Sequence, residues 1–317
     1  MSDEVLVLVF TRLEDRHLEQ IQAVDPRVRA VRAADPAQAR ELAPQATVMV
    51  GWSIPPEVLA QARALRWVHS SGAGVERLLV PPIIDGDVIV TDSSGIHRAM
   101  VEHVYAVILA FARRLHVAVR LQLARRWDHA AVAGDELRGR TLGILGLGAI
   151  GRDIARAAAA FDLNVIGIKR HPEPVAGVAR VLPPEGLHEV LREADYLLVA
   201  LPLTGATRGL IGEAEFAAMK SSAIFINIGR GAIVDEAALI AALRDGRIAG
   251  AGLDVFIEEP LPTDSPFYEM ANVIVTPHVA GSTPRYFDRV TALLIENLRR
   301  FLKQEPLHNV VDKELGY

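Results

Sequence analysis

Arg230, Glu259 and His278 each fall where an apolar, strand-like run gives way to a turn, and all three lie downstream of the loop Gly146-Leu147-Gly148-Ala149-Ile150-Gly151. Arginine grips a carboxylate in two places, and histidine passes a proton near neutral pH. A glutamate beside that histidine orients it and favours its protonated form. Next to a bound dinucleotide, this trio points to hydride transfer on a 2-oxo or 2-hydroxy acid. Arg230 sits between two glycines, where the backbone can approach a ligand closely, and Asp254 ends the run before Glu259-Pro260. His278 follows Thr276-Pro277, and the proline stiffens the turn that aims it.

The glycine loop follows the apolar run Thr141–Leu145 and opens the helical run Ile150–Phe161. That is the setting in which such a loop holds a dinucleotide. Gly146 permits the tight turn, Gly148 lets the backbone approach a pyrophosphate, and Gly151 allows helix and strand to pack. The helix start, at Ala149 and Ile150, offers N–H groups and a positive dipole end. An NAD site places an acid roughly 20 residues further on for the ribose 2′-hydroxyl. This chain has Lys169-Arg170-His171 there, and its next acid is Glu173, beyond a proline. Lys169 and Arg170 attract the 2′-phosphate that an acid repels, so NADP is the preferred cofactor and NAD the alternative.

The elements that must position these residues read as two alternations of strand and helix. Val5–Phe10, Thr47–Val50, Trp67–Ser70 and Val88–Thr91 have strand character, and Leu13–Ala23, Pro36–Leu42 and Pro56–Ala64 have helical spacing. Gly72-Ala73-Gly74 closes one strand and opens a helical stretch, Val75–Leu79. A long helix is predicted over Arg98–Val119. The second series then runs through Thr141–Leu145, Asn164–Ile168, Tyr196–Ala200, Ala223–Ile228, Gly250–Val255 and Val273–Thr276. The expected fold is α/β, with two doubly wound Rossmann-like lobes of parallel sheet flanked by helices. A last helix, Pro284–Lys303, returns to the first lobe. The expected domains are 1–97 with 285–317, binding substrate, and 98–284, binding dinucleotide.

Composition narrows the partners. The 317 residues include no cysteine, which excludes disulfides, thiolate catalysis and zinc–thiolate sites. No metal site is expected. The formal net charge of -5 gives no reason to expect nucleic acid, and pairs such as Arg113-Arg114 and Arg125-Arg126 read as solvated helix faces. Met1-Ser2-Asp3-Glu4 has no basic region, and Val5–Phe10 is too short for a signal-peptide core. No uncharged apolar run approaches membrane-spanning length, so a cytoplasmic protein is expected.

From Leu137 to Thr283 the chain resembles the D-isomer-specific 2-hydroxyacid dehydrogenases, and within them the glyoxylate/hydroxypyruvate reductases. The matching residues are Leu137-Arg138-Gly139-Arg140-Thr141-Leu142-Gly143, the glycine loop, Asn227-Ile228-Gly229-Arg230-Gly231, Gly252-Leu253-Asp254-Val255-Phe256, Glu259-Pro260 and Thr276-Pro277-His278. Glu102-His103 and Gly72-Ala73-Gly74-Val75 also fit. The resemblance implies that Arg230 binds and polarises the 2-oxo acid, that His278 is the acid/base, and that Glu259 is its partner. It implies that Asp254 lies near the nicotinamide carboxamide and that the N–H groups around Ala73 and Gly74 cradle the substrate carboxylate. It further implies an active site in the cleft between lobes that close on the substrate, and a homodimer built through the cofactor lobe. Two positions depart from the pattern: Lys169 stands where many members have an acid, and Ala200 where many have histidine.

The expected reaction is NADPH-dependent reduction of glyoxylate or hydroxypyruvate to the D-2-hydroxy acid. The chain ends soon after its last helix, an expectation against the long form of phosphoglycerate dehydrogenase. A D-lactate-type or bulkier 2-oxo acid reductase is the runner-up. A dinucleotide-sensing protein of corepressor type is the alternative from another class.

Overall fold

The computed structural model describes residues 4–317, and the chain divides into two compact units. One holds the residues up to Ile96 together with Thr283–Tyr317, the other His97–Ser282.

In the first unit, strands β1 (Val5–Val9), β2 (Val28–Arg32), β3 (Ala46–Gly51), β4 (Trp67–Ser70) and β5 (Ile89–Thr91) form a parallel sheet in the order β2-β1-β3-β4-β5. Side chains of a strand alternate between faces, and β1 is apolar on both. Leu6 and Leu8 pack with Met49, Val68 and Val90. Val5, Val7 and Val9 pack on the other side with Trp67 and with Leu294, Leu298 and Phe301 of the helix Tyr286–Lys303. β2 is absent from the strands expected above. Arg29 and Arg32 interrupt its apolar residues, which suits a sheet edge, where charge discourages further pairing.

In the second unit, β6 (Thr141–Leu145), β7 (Asn164–Ile168), β8 (Arg180–Leu182), β9 (Tyr196–Val199), β10 (Ile224–Asn227), β11 (Gly250–Leu253) and β12 (Val273–Val275) form a parallel sheet in the order β12-β11-β10-β9-β6-β7-β8. The chain runs outward from β6 to β8, then resumes at β9 on the other side of β6. Open parallel sheets take ligands at the carboxyl ends beside such a reversal. The glycine loop leaves β6 there.

Three expected elements need correction. The helix predicted over Arg98–Val119 is two helices, Arg98–Ala112 and Leu115–Leu123, with Arg114 between them at φ 53°. Continuation would require the Ala112 carbonyl to accept from His116 N, but it accepts instead from Asp135 N at 2.8 Å. The predicted helix Val75–Leu79 is a single turn, closed by Leu78 N and Leu79 N on the Val75 carbonyl at 2.8 and 3.1 Å. Pro81 and Pro82 follow and supply no N–H to extend it. Pro56–Ala64 is likewise shortened to the helix Pro56–Leu59.

Among the described residues no helix is long and apolar enough to cross a membrane, and no group of three or more His, Asp or Glu side chains is placed to hold a metal ion. The stretch read above for a basic leader begins with Met1–Asp3, which lie outside the described residues.

Candidate active site

β10, β11 and β12 are neighbours in register, with Asn227 opposite Leu253 and Leu253 opposite Val275. Their carboxyl ends are therefore level, and Arg230, Asp254 and His278 follow within three residues of them. Nδ1 of His278 lies 2.7 Å from Oε2 of Glu259. The other Glu259 oxygen accepts from Phe256 N at 3.0 Å, so the carboxylate is held from both sides.

His278 has φ 52°, a left-handed conformation that costs a residue with a Cβ roughly 1–2 kcal/mol. Asp254 holds it there. The N–H of His278 donates to the Asp254 carbonyl at 2.8 Å. Val279 N and Ala280 N donate to Oδ1 and Oδ2 of Asp254, each at 2.9 Å, and the Thr276 hydroxyl donates to Oδ1 at 2.6 Å. Asp254 is buried, and both its carboxylate oxygens are committed to the turn that carries His278. His103 supports the same turn from the helix Arg98–Ala112, its Nε2 lying 3.3 Å from the Thr276 hydroxyl oxygen.

The Arg230 turn is shaped by Asn227. Its Oδ1 accepts from Gly229 N at 3.0 Å and its Nδ2 donates to the Arg230 carbonyl at 3.1 Å. Nη1 of Arg230 donates to the Gly229 carbonyl at 2.7 Å. A Cβ added at Gly231 would overlap the carbonyl of Phe256, so the Arg230 turn is pressed against the backbone that leads to Glu259. Glu259, His278 and Asp254 thus form one bonded cluster, and the Arg230 turn abuts it.

The glycine loop packs closely at two of its glycines and is open at the third. Gly146 has φ 104°, and a Cβ there would lie 2.6 Å from the Ala200 carbonyl oxygen at the end of β9. At Gly151 a Cβ would overlap the carbonyl oxygen of Gly146. Around Gly148, in contrast, nothing beyond its own stretch of chain lies within 4 Å of the Cβ position. This glycine is also the N-cap of the helix Ala149–Ala157, which has no side-chain cap. The backbone is therefore open to a ligand where the first-turn N–H groups, those of Ala149 and Ile150 included, lack capping by a side chain.

Beyond β7, Lys169 Nζ lies 3.0 Å from Glu173, and Arg170 is exposed. Arg152, passed over in the sequence, joins them: its Nη2 donates to Glu173 Oε1 at 2.8 Å and its Nε to the Leu147 carbonyl at 3.2 Å. Its place right after Gly151 was the available signal.

Ala73 and Gly74 belong to the first unit, in the loop after β4. Their N–H groups make no hydrogen bond among the described residues. Four hydrogen bonds fix the strand end before them. Trp67 Nε1 donates to Thr91 Oγ1 at 2.8 Å, which lies 2.8 Å from His69 Nδ1; His69 Nε2 lies 3.2 Å from Ser93 Oγ, which donates to the Ser70 carbonyl at 2.8 Å. Ser93 Oγ gives its own hydrogen to Ser70, so it accepts from Nε2–H of His69; with the ring neutral, Nδ1 accepts from the Thr91 hydroxyl. Complete burial keeps His69 neutral and pushes its imidazole down to about 3. No sequence motif marks this chain of bonds, because its members come from two strands and a loop.

Comparison with known proteins extends these observations. The family model for D-isomer specific 2-hydroxyacid dehydrogenase, NAD binding domain, matches residues 105–280. A glyoxylate reductase from Aeropyrum pernix is 39% identical over 271 residues, covering 82% of this chain and 80% of that protein. A D-3-phosphoglycerate dehydrogenase from Methanocaldococcus jannaschii is 35% identical over 84% of this chain, but the match spans only 51% of that longer protein. Among solved structures, an NADPH-dependent glyoxylate/hydroxypyruvate reductase from Sinorhizobium meliloti, in complex with NADP and sulfate, superposes with a TM-score of 0.88 at 33% identity, covering 99% of this chain and 100% of that one. The two parallel sheets, the loop after β6 and the matched length have one reading: this chain belongs to the D-isomer specific 2-hydroxyacid dehydrogenase family, a family of enzymes that use a nicotinamide dinucleotide.

Proposed function

We propose that this chain reduces small 2-oxo acids, glyoxylate or hydroxypyruvate by preference, to D-2-hydroxy acids, with NADPH as preferred reductant. The observation that carries the reading is the His278–Glu259 pair at 2.7 Å, on a turn bonded to Asp254, itself one strand from the Arg230 turn. When bound, the dinucleotide supplies a hydride; Gly146, Gly148, Ala149, Ile150 and Gly151 hold its pyrophosphate, and Lys169 and Arg170 its 2′-phosphate.

Arg230 grips the substrate carboxylate with its planar fork and polarises the neighbouring carbonyl. Nδ1 of His278 is engaged by Glu259, so Nε2 is the atom that passes a proton to the substrate oxygen. Glu259 keeps the ring in place and stabilises the charge it carries. Asp254 acts through the backbone of the His278 turn. In the first unit, the Ala73 and Gly74 N–H groups are donors suited to a carboxylate. Preference for small acids is supported by likeness to the two reductases above, and preference for NADPH by Lys169 where an acid would serve NAD.

We place the protein in the cytoplasm as a homodimer. Supporting the dimer, Leu115, Val119 and Leu123 are exposed at intervals of four along one helix, and Trp127 beyond it is 98% exposed.

The test is consumption of NADPH and NADH in parallel, with glyoxylate, hydroxypyruvate and pyruvate as acceptors, for the wild type and Arg230→Lys. Fast NADPH-dependent turnover of the small acids, lost in the variant with cofactor affinity retained, is expected. Preference for NADH would discard the 2′-phosphate assignment. Tight cofactor binding with no turnover of any acid would overturn the reductase reading in favour of a dinucleotide sensor.

A further inference from the structure

Glu173 makes an arrangement that the proposed reaction does not use. A single oxygen, Oε1, meets both Lys169 Nζ at 3.0 Å and Arg152 Nη2 at 2.8 Å. Both cations belong to cofactor-binding elements. Lys169 is the first residue after β7, and Arg152 lies in the first turn of the helix Ala149–Ala157, tied to the glycine loop through the Leu147 carbonyl. Lys169 Nζ also donates to the His171 carbonyl at 3.2 Å, which fixes it beside the strand end. Pro172 and Pro174 flank Glu173 and limit the ways its backbone can move. Lys169 first, and Arg152 after it, hold the Glu173 carboxyl below its ordinary range.

A carboxylate on two converging cations has the place and sign of an anionic ligand. Its hold is weak, because Lys169, Arg152 and Glu173 are 22%, 43% and 53% exposed and ion pairs open to water contribute little. A phosphate carries more charge and more acceptor oxygens than a carboxylate. Glu173 therefore cannot exclude a phosphate from these cations; it can only compete with one.

We propose that Glu173 is an internal anion that occupies the site for the dinucleotide's 2′-phosphate and is displaced by it. Glu173 then sets how far NADP(H) is preferred over NAD(H): the phosphorylated cofactor must release it, and the other need not. The inference rests on the assignment of Lys169 and Arg170 to the 2′-phosphate, and it adds Arg152 as that group's third cation.

The test is the dissociation constant of NADPH, NADH and 2′,5′-ADP, measured by calorimetry on the wild type, Glu173→Gln and Lys169→Ala. Glutamine keeps the shape and removes the charge. Glu173→Gln is expected to tighten NADPH and 2′,5′-ADP by about threefold to fivefold, the scale of an exposed ion pair, and to leave NADH within about twofold. Unchanged or weaker NADPH binding in that variant, while Lys169→Ala still weakens NADPH alone, would overturn the competition and leave the phosphate assignment standing. Equal weakening of NADPH and NADH by Lys169→Ala would remove both.

Discussion

Nδ1 of His278 stands 2.7 Å from Oε2 of Glu259, while the next two backbone N–H groups after His278 are bound by the two carboxylate oxygens of Asp254. One carboxylate holds the ring and another holds the backbone beneath it. If the ring and Glu259 act as a unit, their removal is not additive. His278→Asn is expected to lower kcat by about 10²–10⁴-fold without weakening NADPH binding. Glu259→Gln should lower it less, and the double variant should be no slower than His278→Asn alone. Steady-state kinetics with fluorescence titration of the cofactor checks this, and multiplicative losses in the double variant would separate the two residues.

Asp254 makes a different prediction. Asp254→Ala leaves Val279 N and Ala280 N without their acceptors and the φ 52° turn without its tether. A buried donor left unsatisfied costs about 1–3 kcal/mol, so urea unfolding should show a loss of roughly 2–4 kcal/mol. In the surviving folded protein kcat should fall more than KM changes. Wild-type stability and kcat together would show the turn to be held by other means.

The neutral, buried His69 ties stability to pH. The unfolded chain takes up a proton on this imidazole near pH 6.5, whereas the folded protein does not until about pH 3. Acid therefore favours the unfolded state. The His69 contribution is fully present above pH 6.5 and is lost as pH falls from there towards 3, at up to about 1.4 kcal/mol per unit. His69→Gln should flatten that part of the profile. Urea midpoints at pH 7.5, 5.5 and 4.5 decide it, and equal slopes in both proteins would contradict the assignment.

Arg114 bears the cost of the break between the helices Arg98–Ala112 and Leu115–Leu123. Glycine adopts the left-handed conformation without that penalty but loses more entropy on folding. The expected net effect of Arg114→Gly is a gain of about 0.5–1 kcal/mol. A fall in melting temperature would mean that the arginine side chain, which donates to the Ala131 carbonyl at 3.0 Å, outweighs the strain.

The exposed stripe of Leu115, Val119 and Leu123 bears on assembly. Val119→Glu with Leu123→Glu should convert a dimer into a monomer in sedimentation velocity, with the circular dichroism spectrum unchanged. A mass unaffected by both charges would locate any dimer interface elsewhere.

Much of the second sheet was legible in the sequence because its strands are short apolar runs ended by Gly, Asp or Pro, and periodicity reports burial directly. The glycine loop, the Arg230 turn and the Thr276-Pro277-His278 turn were readable for the same local reason. The edge strands β2 and β8 were not, since arginine interrupts one and the other has only three residues. The break at Arg114 depended on a carbonyl claimed by Asp135, more than twenty residues along, which no local pattern reports.

Residue types and their order along the chain thus determined which chemistry was available: a cofactor loop, cations in place of an acid after β7, and an Arg, Glu and His in succession. The tertiary structure alone decided how those groups are held. The bonds from Val279 N and Ala280 N to the Asp254 carboxylate, which tether the His278 turn, were not announced by any spacing in the sequence. Glu173, an acid past a proline in the sequence, turned out to lie on Arg152 and Lys169. The physical reason is common to both cases. A hydrogen bond or ion pair is set by positions a few ångströms apart in space, and the fold brings Asp254 to residues 25 and 26 positions on and Arg152 to Glu173, 21 positions on.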